Sequence, residues 1–376
     1  EHACSPNTAW ICYNSKVFHH EEPEQCPQGR PLERRVFLKS ITLLGGLALL
    51  SAFAPSCLRR DAPIHKSVLQ PVPTEEEIMI TKIGLVSTRN REEGVPRAIA
   101  LLQSNPVRGK AVTLKPNFNS ADLTPGSTHS GTLRALVLTL QEMGAKSITL
   151  AERSGPGDTT RQVMEKKGIF DMAEELGFDI VNLEELDPEG WVHFHPKDSH
   201  WQDGFLFPKV YTEAESIVQT CCLKTHSHGG HFTLSLKNSV GMVPRAGHQF
   251  MRELHGSPYQ RQLIAEINTA YSPDLVVLDG VDAFVDGGPS AGTRVQAGVI
   301  LAGSDRVAID AVGVAILRLL GTTPEVNRGL IFEQEQIAKA VELGLGVKSP
   351  DQVQLVTDDA ESEAYAGKIR DILLQG

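Results

Sequence analysis

The chain has 376 residues, of which 41% are hydrophobic, so it is long enough for one large core or two ordinary ones. Its formal net charge of -10 argues against a nucleic-acid groove, because proteins with such grooves usually carry basic patches. The cysteine spacings match neither a zinc site nor an iron–sulfur run, so no structural metal is implied by Cys4, Cys12, Cys26, Cys57, Cys221 and Cys222.

The first sixty residues are excluded from the predicted fold, and residues 61–77 are predicted to form a linker. After a polar tail, the sequence RRVFLK at Arg34–Lys39 precedes a short apolar run. This segment resembles a twin-arginine export signal, with Glu33 where that signal usually has Ser or Thr. The resemblance implies contact with the export machinery and a location in the periplasm or on the outer face of the cytoplasmic membrane.

Two fates of this signal are left open. The apolar run is shorter than the ~20 residues that a spanning helix needs, yet an uncleaved signal would still anchor the protein. Alternatively, the sequence APSC ending at Cys57 forms a weak lipoprotein site, in which this cysteine would carry the lipid. Proteins that use the twin-arginine route are exported folded, often with a cofactor, so the resemblance raises the expectation of a bound cofactor.

From residue 78 onward, apolar periodicity predicts strands that alternate with helices. The predicted strands are 78–86, 111–114, 146–150, 178–183, 216–223, 275–278, 295–302 and 353–356. The main predicted helices are 95–102, 132–143, 259–271, 331–343 and one that Asp305 caps. This alternation indicates an α/β fold with βαβ units in parallel or mixed sheets. We expect two α/β subdomains, 78–210 and 211–376, with a cleft between them, and an excursion or small hairpin at Trp191–Pro208.

Polar residues follow several of the predicted strands directly. In open parallel sheets, ligands bind beyond the carboxyl ends of the strands. We therefore expect these residues to gather at one edge of the sheet, and we expect Lys115, Lys224 and Lys237 to share one cleft. The strand-end residues are Lys115, Asn117, Glu152, Arg153, Lys224, His226 and Asp279.

The segment Cys221–Pro244 is the predicted centre of the site, because it crowds lysines, an asparagine and histidines into a glycine-rich stretch. Lysines at strand ends suit the binding of phosphate or carboxylate as point charges. The alternative is that they are exposed or pair structurally with Asp279 and Asp310. The two adjacent cysteines are expected to pack as small apolar side chains.

Two further features of the site allow more than one interpretation. The spacing of His226, His228 and His231 permits ligation of a divalent metal, with Asp279 as an oxygen ligand. A mobile polar loop is the alternative. The loop around Gly288 offers backbone N–H groups to an anion, although no helix follows at the spacing of a phosphate loop.

Six motifs in order resemble the DUF362 family over residues 80–321. They are KPN at Lys115, KTH at Lys224, KNSVG at Lys237, LDG at Leu278, GGPSAG at Gly287 and DRVAID at Asp305. The family has no assigned function, and its members often carry ferredoxin-like cysteine clusters. This chain lacks such a run, so the resemblance implies a separate iron–sulfur redox partner rather than an intrinsic cluster.

A second likeness, at the level of the fold, is to the nickel-pincer lactate racemase family. Its members combine two α/β domains with a lysine that bears the cofactor and with nearby histidines. Here Lys237, followed by His248 and His255, is similar in outline. The turn at Glu152–Gly155 lacks the histidine which that family places after an early strand.

These patterns favour an exported enzyme that acts on a small anionic ligand. Lys237, His226 and Asp279 are the predicted catalytic residues. The predicted ligand-binding residues are Lys115, Asn117, Lys224, Thr225, Asn238, Gly288 and Asp310. The alternative is a non-catalytic binding or redox-accessory protein that works with separate iron–sulfur proteins and needs no acid–base pair.

Overall fold

The computed structural model describes residues 80–245 and 249–376. The tail, the twin-arginine-like segment at Arg34–Lys39, Cys57 and the linker lie outside these ranges, so the interpretations that rest on them stay predictions. His248 also lies outside them. No helix within the described ranges combines the length and the apolar character that crossing a bilayer requires.

Nine strands form one mixed sheet, and two more form a separate antiparallel hairpin. The order in the large sheet is β11-β1-β10-β9-β7-β2-β3-β4, with β8 paired to β7. All neighbours along this order are parallel except those of β10, which runs antiparallel to β1 and β9. The strands are β1 Thr81–Ser87, β2 Ala111–Lys115, β3 Ser147–Glu152, β4 Asp179–Asn182, β5 Trp191–Phe194, β6 Phe205–Pro208, β7 Ser216–His226, β8 His231–Thr233, β9 Leu275–Gly287, β10 Gly292–Gly303 and β11 Val353–Val356.

Helices connect most of these strands, and the predicted α/β class is confirmed. Asp305 caps its helix as predicted, since its side chain accepts a hydrogen bond of 2.9 Å from Ala308 N. The helices are α1 Arg91–Ala100, α2 Ser130–Glu142, α3 Thr160–Lys166, α4 Ile169–Leu176, α5 Lys209–Thr212, α6 Ser235–Asn238, α7 Phe250–Gly256, α8 Gln260–Ile267, α9 Arg306–Leu319, α10 Pro324–Asn327, α11 Glu335–Glu342 and α12 Ala360–Gln375.

Strand β7 lies near the middle of the sheet, and all of its residues are buried. One apolar cluster joins Cys221 and Leu223 to α9, and a second joins Val218 to α1 and α2. Side chains alternate between the two faces of a strand, so the clusters cover opposite faces of the sheet. Cys221 and Cys222 are buried free thiols in this strand, as predicted.

Strands from both predicted subdomains take part in the one sheet, because β1 lies between β11 and β10. The division at residue 210 stays a prediction. The stretch Trp191–Pro208 is a hairpin, as one of its two interpretations predicted, since β5 and β6 pair antiparallel. Its aromatic residues belong to a third apolar cluster that includes Trp201, Phe205 and Phe207.

One predicted strand end is wrong. The strand that begins at Leu275 does not stop before Asp279 but continues to Gly287 and forms a hairpin with β10. The apolar run resumes at Val281 and alternates to Val285, so Gly280 and Asp282 interrupt the pattern without ending the strand. Asp279 therefore lies within a strand and not at the edge where the other polar residues gather.

Candidate functional site

A polar cavity of about 50 Å³ lies at the carboxyl ends of β2, β3 and β7. A water molecule needs ~10–15 Å³ in such a cavity, so this one has room for roughly three to five waters or a small anion. Lys115, Lys224 and Lys237 all line it, which is the convergence that the strand-end argument predicts. Its lining comprises Lys115, Asn117, Phe118, Asn119, Glu152, Arg153, Gly155, Lys224, Thr233, Lys237, Asn238, Val240, Gly241 and Pro289.

A buried ion pair forms one wall of the cavity. Lys115 ends β2, Glu152 ends the neighbouring β3, and their charged groups lie 2.7 Å apart with both side chains 1% exposed. The carboxylate also accepts hydrogen bonds from the backbone N–H groups of Phe118 and Arg153. Burial lowers the pKa of Lys115 and raises the pKa of Glu152, so each ion depends on the other.

Two more buried cations adjoin this pair, and within residues 80–245 and 249–376 neither forms an ion pair with a carboxylate. Lys224 Nζ donates to three oxygens, those of Asn117 Oδ1, Gly126 O and Pro289 O, at 3.2, 2.6 and 3.2 Å. Arg153 donates to the carbonyl oxygens of Val243, Ser154 and Val240. Burial lowers the pKa of Lys224 and lowers that of Arg153 to about 10. Both side chains thus donate hydrogen bonds to oxygens of the protein itself.

Lys237 differs from the other basic residues of the cavity. Its side chain is 9% exposed, and its Nζ makes no hydrogen bond or ion pair with any residue of the described ranges. Burial, followed by the charges of Lys224 and Arg153, lowers its pKa to about 7. Lys237 is therefore the one basic side chain of the described cavity lining whose amine is free to bind a ligand.

The short helix α6 positions Lys237, and Asp310 holds the start of that helix. The Asp310 carboxylate accepts hydrogen bonds from Ser235 Oγ at 2.5 Å, from Ser235 N at 2.8 Å and from Leu236 N at 3.2 Å. Burial raises the pKa of Asp310 to about 7. Asp310 thus contacts the backbone that carries Lys237, whereas the alternative interpretation, a pairing of the lysines with Asp279 or Asp310, is not found among the described residues.

Two asparagines join the lysines into one network. Asn238 Oδ1 accepts from Lys115 Nζ and from Asn117 Nδ2, each at 3.2 Å. Asn117 Oδ1 in turn accepts from Lys224 Nζ. Both asparagines line the cavity, so the structure brings these two predicted ligand-binding residues to the predicted place.

His226 ends β7 and lies beside Lys237. It is 5% exposed, and its Nδ1 is buried without a hydrogen-bond partner in the described structure. Burial and the positive charge of Lys237 lower its pKa far below the ordinary value, so the imidazole is neutral at physiological pH. A Cβ added to Gly230 would stand 2.9 Å from both His226 Nδ1 and Lys237 Cε. Gly230 therefore allows the two side chains to approach each other.

We expect Gly230→Ala to lower the free energy of unfolding by about 1–3 kcal/mol, because the added methyl group overpacks this contact. Urea unfolding will measure the change. The matched control is Gly367→Ala on α12, where an added Cβ meets nothing within 4 Å. This control should raise stability by ~0.5–1 kcal/mol, because alanine restricts the unfolded chain and favours the helix. Equal effects of the two substitutions would contradict the close approach.

The three histidines proposed as metal ligands are near one another on the β7–β8 hairpin, but they are not arranged as a metal site in the described ranges. His228 is exposed, and its ring centroid lies 5.6 Å from that of His226. Within residues 80–245 and 249–376, no three His, Cys, Asp or Glu side chains are placed to hold a metal ion. His231 instead lines, with His226, Thr225 and Gly287, a neighbouring cavity of about 370 Å³.

The remaining predicted site residues lie elsewhere or are already engaged. The Asp279 carboxylate accepts from Arg91 Nε at 2.8 Å and from Thr132 Oγ1 at 2.5 Å, and it does not line the cationic cavity. Thr225 Oγ1 is 3.2 Å from Gly287 O. Gly288 N donates to Ala291 O at 2.7 Å, so this N–H is used inside its loop.

Sequence reasoning missed one polar residue of the cavity lining and the ion pair that a second one forms. Thr233 on β8 lines it, and its buried hydroxyl has no hydrogen-bond partner in the described structure. No sequence signal marks this residue. Glu152 was recognised only as a strand-end residue. The adjacency of β2 and β3 would have identified it as the partner of Lys115.

Comparisons with known proteins bear on the same region. The model of a family described as a domain of unknown function, DUF362, matches residues 112–315, a range that contains every residue lining the cavity. A thylakoid-associated protein of Synechocystis sp. is 26% identical over 254 residues, which are 64% of this chain and 76% of that protein.

Solved structures with a related arrangement are more distant. The lactate racemase apoprotein from Thermoanaerobacterium thermosaccharolyticum aligns with 77% of this chain and 86% of its own, at 14% identity and a TM-score of 0.40. A protein from Thermotoga maritima aligns with 67% of this chain and 57% of its own, at 13% identity and a TM-score of 0.38.

Proposed function

The chain belongs to the DUF362 family, and on that premise we propose that it is an enzyme that binds a small carboxylate or phosphate in the cationic cavity. His226 is the proposed proton acceptor of the reaction, and Lys237 is the proposed direct ligand of the anion. Asp279 has no part in the proposed reaction, because its carboxylate is held by Arg91 and Thr132 outside the cavity.

The imbalance of buried charge carries this proposal. Four basic side chains and one carboxylate, that of Glu152, line the cavity in the described structure. Burial of an uncompensated charge is costly, because the protein interior solvates ions poorly. A bound anion would offset the excess positive charge of Lys224, Arg153 and Lys237, which the protein itself leaves unbalanced.

The pattern of free donors indicates where the anion binds. Lys115, Lys224 and Arg153 already donate to protein oxygens, so they act mainly through their charge. Lys237 Nζ and the Thr233 hydroxyl are the side-chain donor groups of the described lining that make no hydrogen bond at all. A carboxylate or phosphate that accepts from both would satisfy two buried polar groups at once.

His226 is placed to accept a proton once the anion is bound, because a negative ligand beside Lys237 offsets the positive charge that, after burial, lowers the pKa of His226. Its imidazole is neutral, and its Nδ1 has no partner in the described structure, so a lone pair or an N–H is available, depending on the tautomer. It adjoins Lys237 across Gly230, and it lines the larger neighbouring cavity together with Thr225 and His231. A ligand held by Lys237 is therefore within reach of a base.

Thermal unfolding in phosphate or acetate, against sodium chloride of equal ionic strength, tests the anion site. We expect both anions to raise the melting temperature of the full chain, by roughly 2 °C for each 1 kcal/mol of binding energy. Lys237→Met should abolish this rise, whereas Lys368→Met, an exposed lysine on α12, should keep it. An equal response of all three proteins would overturn the proposal.

Deuterium exchange tests the enzymatic part. Small carboxylic acids that stabilise the protein are incubated with it in D₂O, and loss of their carbon-bound protons is followed by NMR. We expect exchange with the wild-type protein and at least a tenfold slower rate with His226→Gln, which should still bind the anion. Stabilisation without exchange would instead indicate a binding or redox-accessory protein.

A further inference from the structure

Resting on the anion site proposed above, we infer that Lys237 Nζ is a nucleophile that forms an imine with a small oxo acid. Such a ligand carries a carboxylate beside a ketone or aldehyde carbon. This inference narrows the ligand to one chemical class and gives the free amine of the cavity a covalent role.

The contacts of the three lysines single out Lys237. Lys224 Nζ has three oxygen acceptors, and Lys115 Nζ is shared among Glu152, Pro116 O and Asn238 Oδ1. An amine whose N–H groups are all bonded has no lone pair to offer, because it is held as the ammonium ion. Lys237 Nζ has no such acceptor in the described structure, yet it faces the same cavity.

The surroundings of Lys237 favour the neutral, nucleophilic amine. Lys224 and Arg153 are positively charged neighbours, and the side chain is largely withdrawn from water. Desolvation and an adjacent cation are the two means by which proteins activate lysines that attack carbonyl carbons. With a pKa of about 7, a substantial fraction of the amine is neutral at physiological pH.

The groups around Lys237 also offer a binding place for the carboxylate of the ligand. Once Lys237 is uncharged, Lys224 and Arg153 still carry positive charge at the cavity, and the Thr233 hydroxyl is an open donor. A carboxylate placed there would hold the adjacent carbonyl carbon near Nζ. The cavity of about 50 Å³ limits the buried part of the ligand to a few heavy atoms.

The chemical step is balanced without an oxidant or a reductant. The Nζ lone pair attacks the carbonyl carbon, so a C–N bond forms, the C=O π bond breaks, and the first amine proton passes to the oxygen to give a carbinolamine. The second amine proton then passes to the hydroxyl group, with the neutral His226 imidazole as the nearby group that relays it, and the C–O bond breaks to release water. Amine and carbonyl have become imine and water.

Reductive trapping tests the inference on the full chain. The protein is incubated at pH 7 with pyruvate and sodium cyanoborohydride, whose hydride converts an imine into a stable secondary amine. Intact mass spectrometry and peptide mapping should show one adduct, on Lys237. Acetone, which has the ketone but no carboxylate, should give at least tenfold less adduct. Adducts spread over exposed lysines, or equal trapping of acetone, would overturn the inference.

The variant Lys237→Arg separates this inference from the anion site itself. Arginine keeps the positive charge but offers no nucleophilic amine, so the variant should lose the adduct and still be stabilised by phosphate. If pyruvate raises the melting temperature of the wild-type protein and no adduct forms on Lys237, the imine is excluded and the anion site stands. If neither stabilisation nor adduct is found, both proposals fail.

Discussion

Replacement of Glu152 by glutamine should lower the free energy of unfolding by about 3–5 kcal/mol, the loss typical of removing one partner from a buried ion pair. Lys115 and Glu152 are each 1% exposed, so the lysine would be left in the interior without a counterion. The new amide group would also face a backbone donor, because the two carboxylate oxygens accept from Phe118 N and Arg153 N. Urea unfolding will measure the loss.

The matched control for this prediction is Glu185→Gln. Glu185 pairs with Arg161 at 2.9 Å, but both side chains are about half exposed. Solvent screens such a pair, so its loss should cost only ~0–1 kcal/mol. The double variant Lys115→Met with Glu152→Leu should lose less free energy of unfolding than Lys115→Met and Glu152→Leu lose together as single variants. We expect the difference to be about 1–3 kcal/mol. Equal losses for Glu152→Gln and Glu185→Gln would show that the buried pair contributes no more than a surface pair.

Part of the cavity lining could be predicted from the sequence, because the carboxyl ends of parallel strands meet at one edge of a sheet. Lys115 and His226 end adjacent parallel strands, and Lys224 lies two residues before the second end. Their convergence follows from the parallel direction of the strands, which the alternation of predicted strands and helices indicates. The same reasoning also located most of the strands and the cap at Asp305.

Residues whose position depends on contacts between distant segments were not predicted correctly. Asp279 resembles a strand-end residue, yet β9 continues because β10 pairs with it over its full length. The three histidines share a short segment, but the turn after His226 leaves His228 exposed. The free hydroxyl of Thr233 depends on which groups surround it in three dimensions. Sequence periodicity carries no information about such contacts.

Lys237→Met should have opposite effects on stability and on binding. In the protein without a ligand, the substitution removes a desolvated amine that has no partner in the described structure, so we expect a gain of about 1–3 kcal/mol at pH 6. Stabilisation by phosphate or acetate should disappear in the same variant. A residue that costs stability and is required for binding is the signature of a site arranged for its ligand.

The pH dependence of this gain has a definite sign. The pKa of Lys237 is about 7 in the folded protein and 10.5 for an ordinary lysine, so between these values the unfolded chain holds a proton that the folded protein has released. The stability of the wild-type protein therefore rises relative to Lys237→Met across this window. The gain from methionine should be largest below pH 7 and should fall steadily as the pH rises toward 10.5.

Urea unfolding of both proteins at pH 6, 8 and 9.5 will check this window. The groups that face Lys237 do not change the direction of this pH dependence. Lys224 and Arg153 are positive, and the His226 imidazole is neutral over the whole pH range measured. Anion affinity should fall over the same range, because a neutral amine attracts an anion less than an ammonium ion does. A gain from methionine that does not change between pH 6 and 9.5 would show that the pKa of Lys237 is not lowered, which would contradict the neutral amine that imine formation requires.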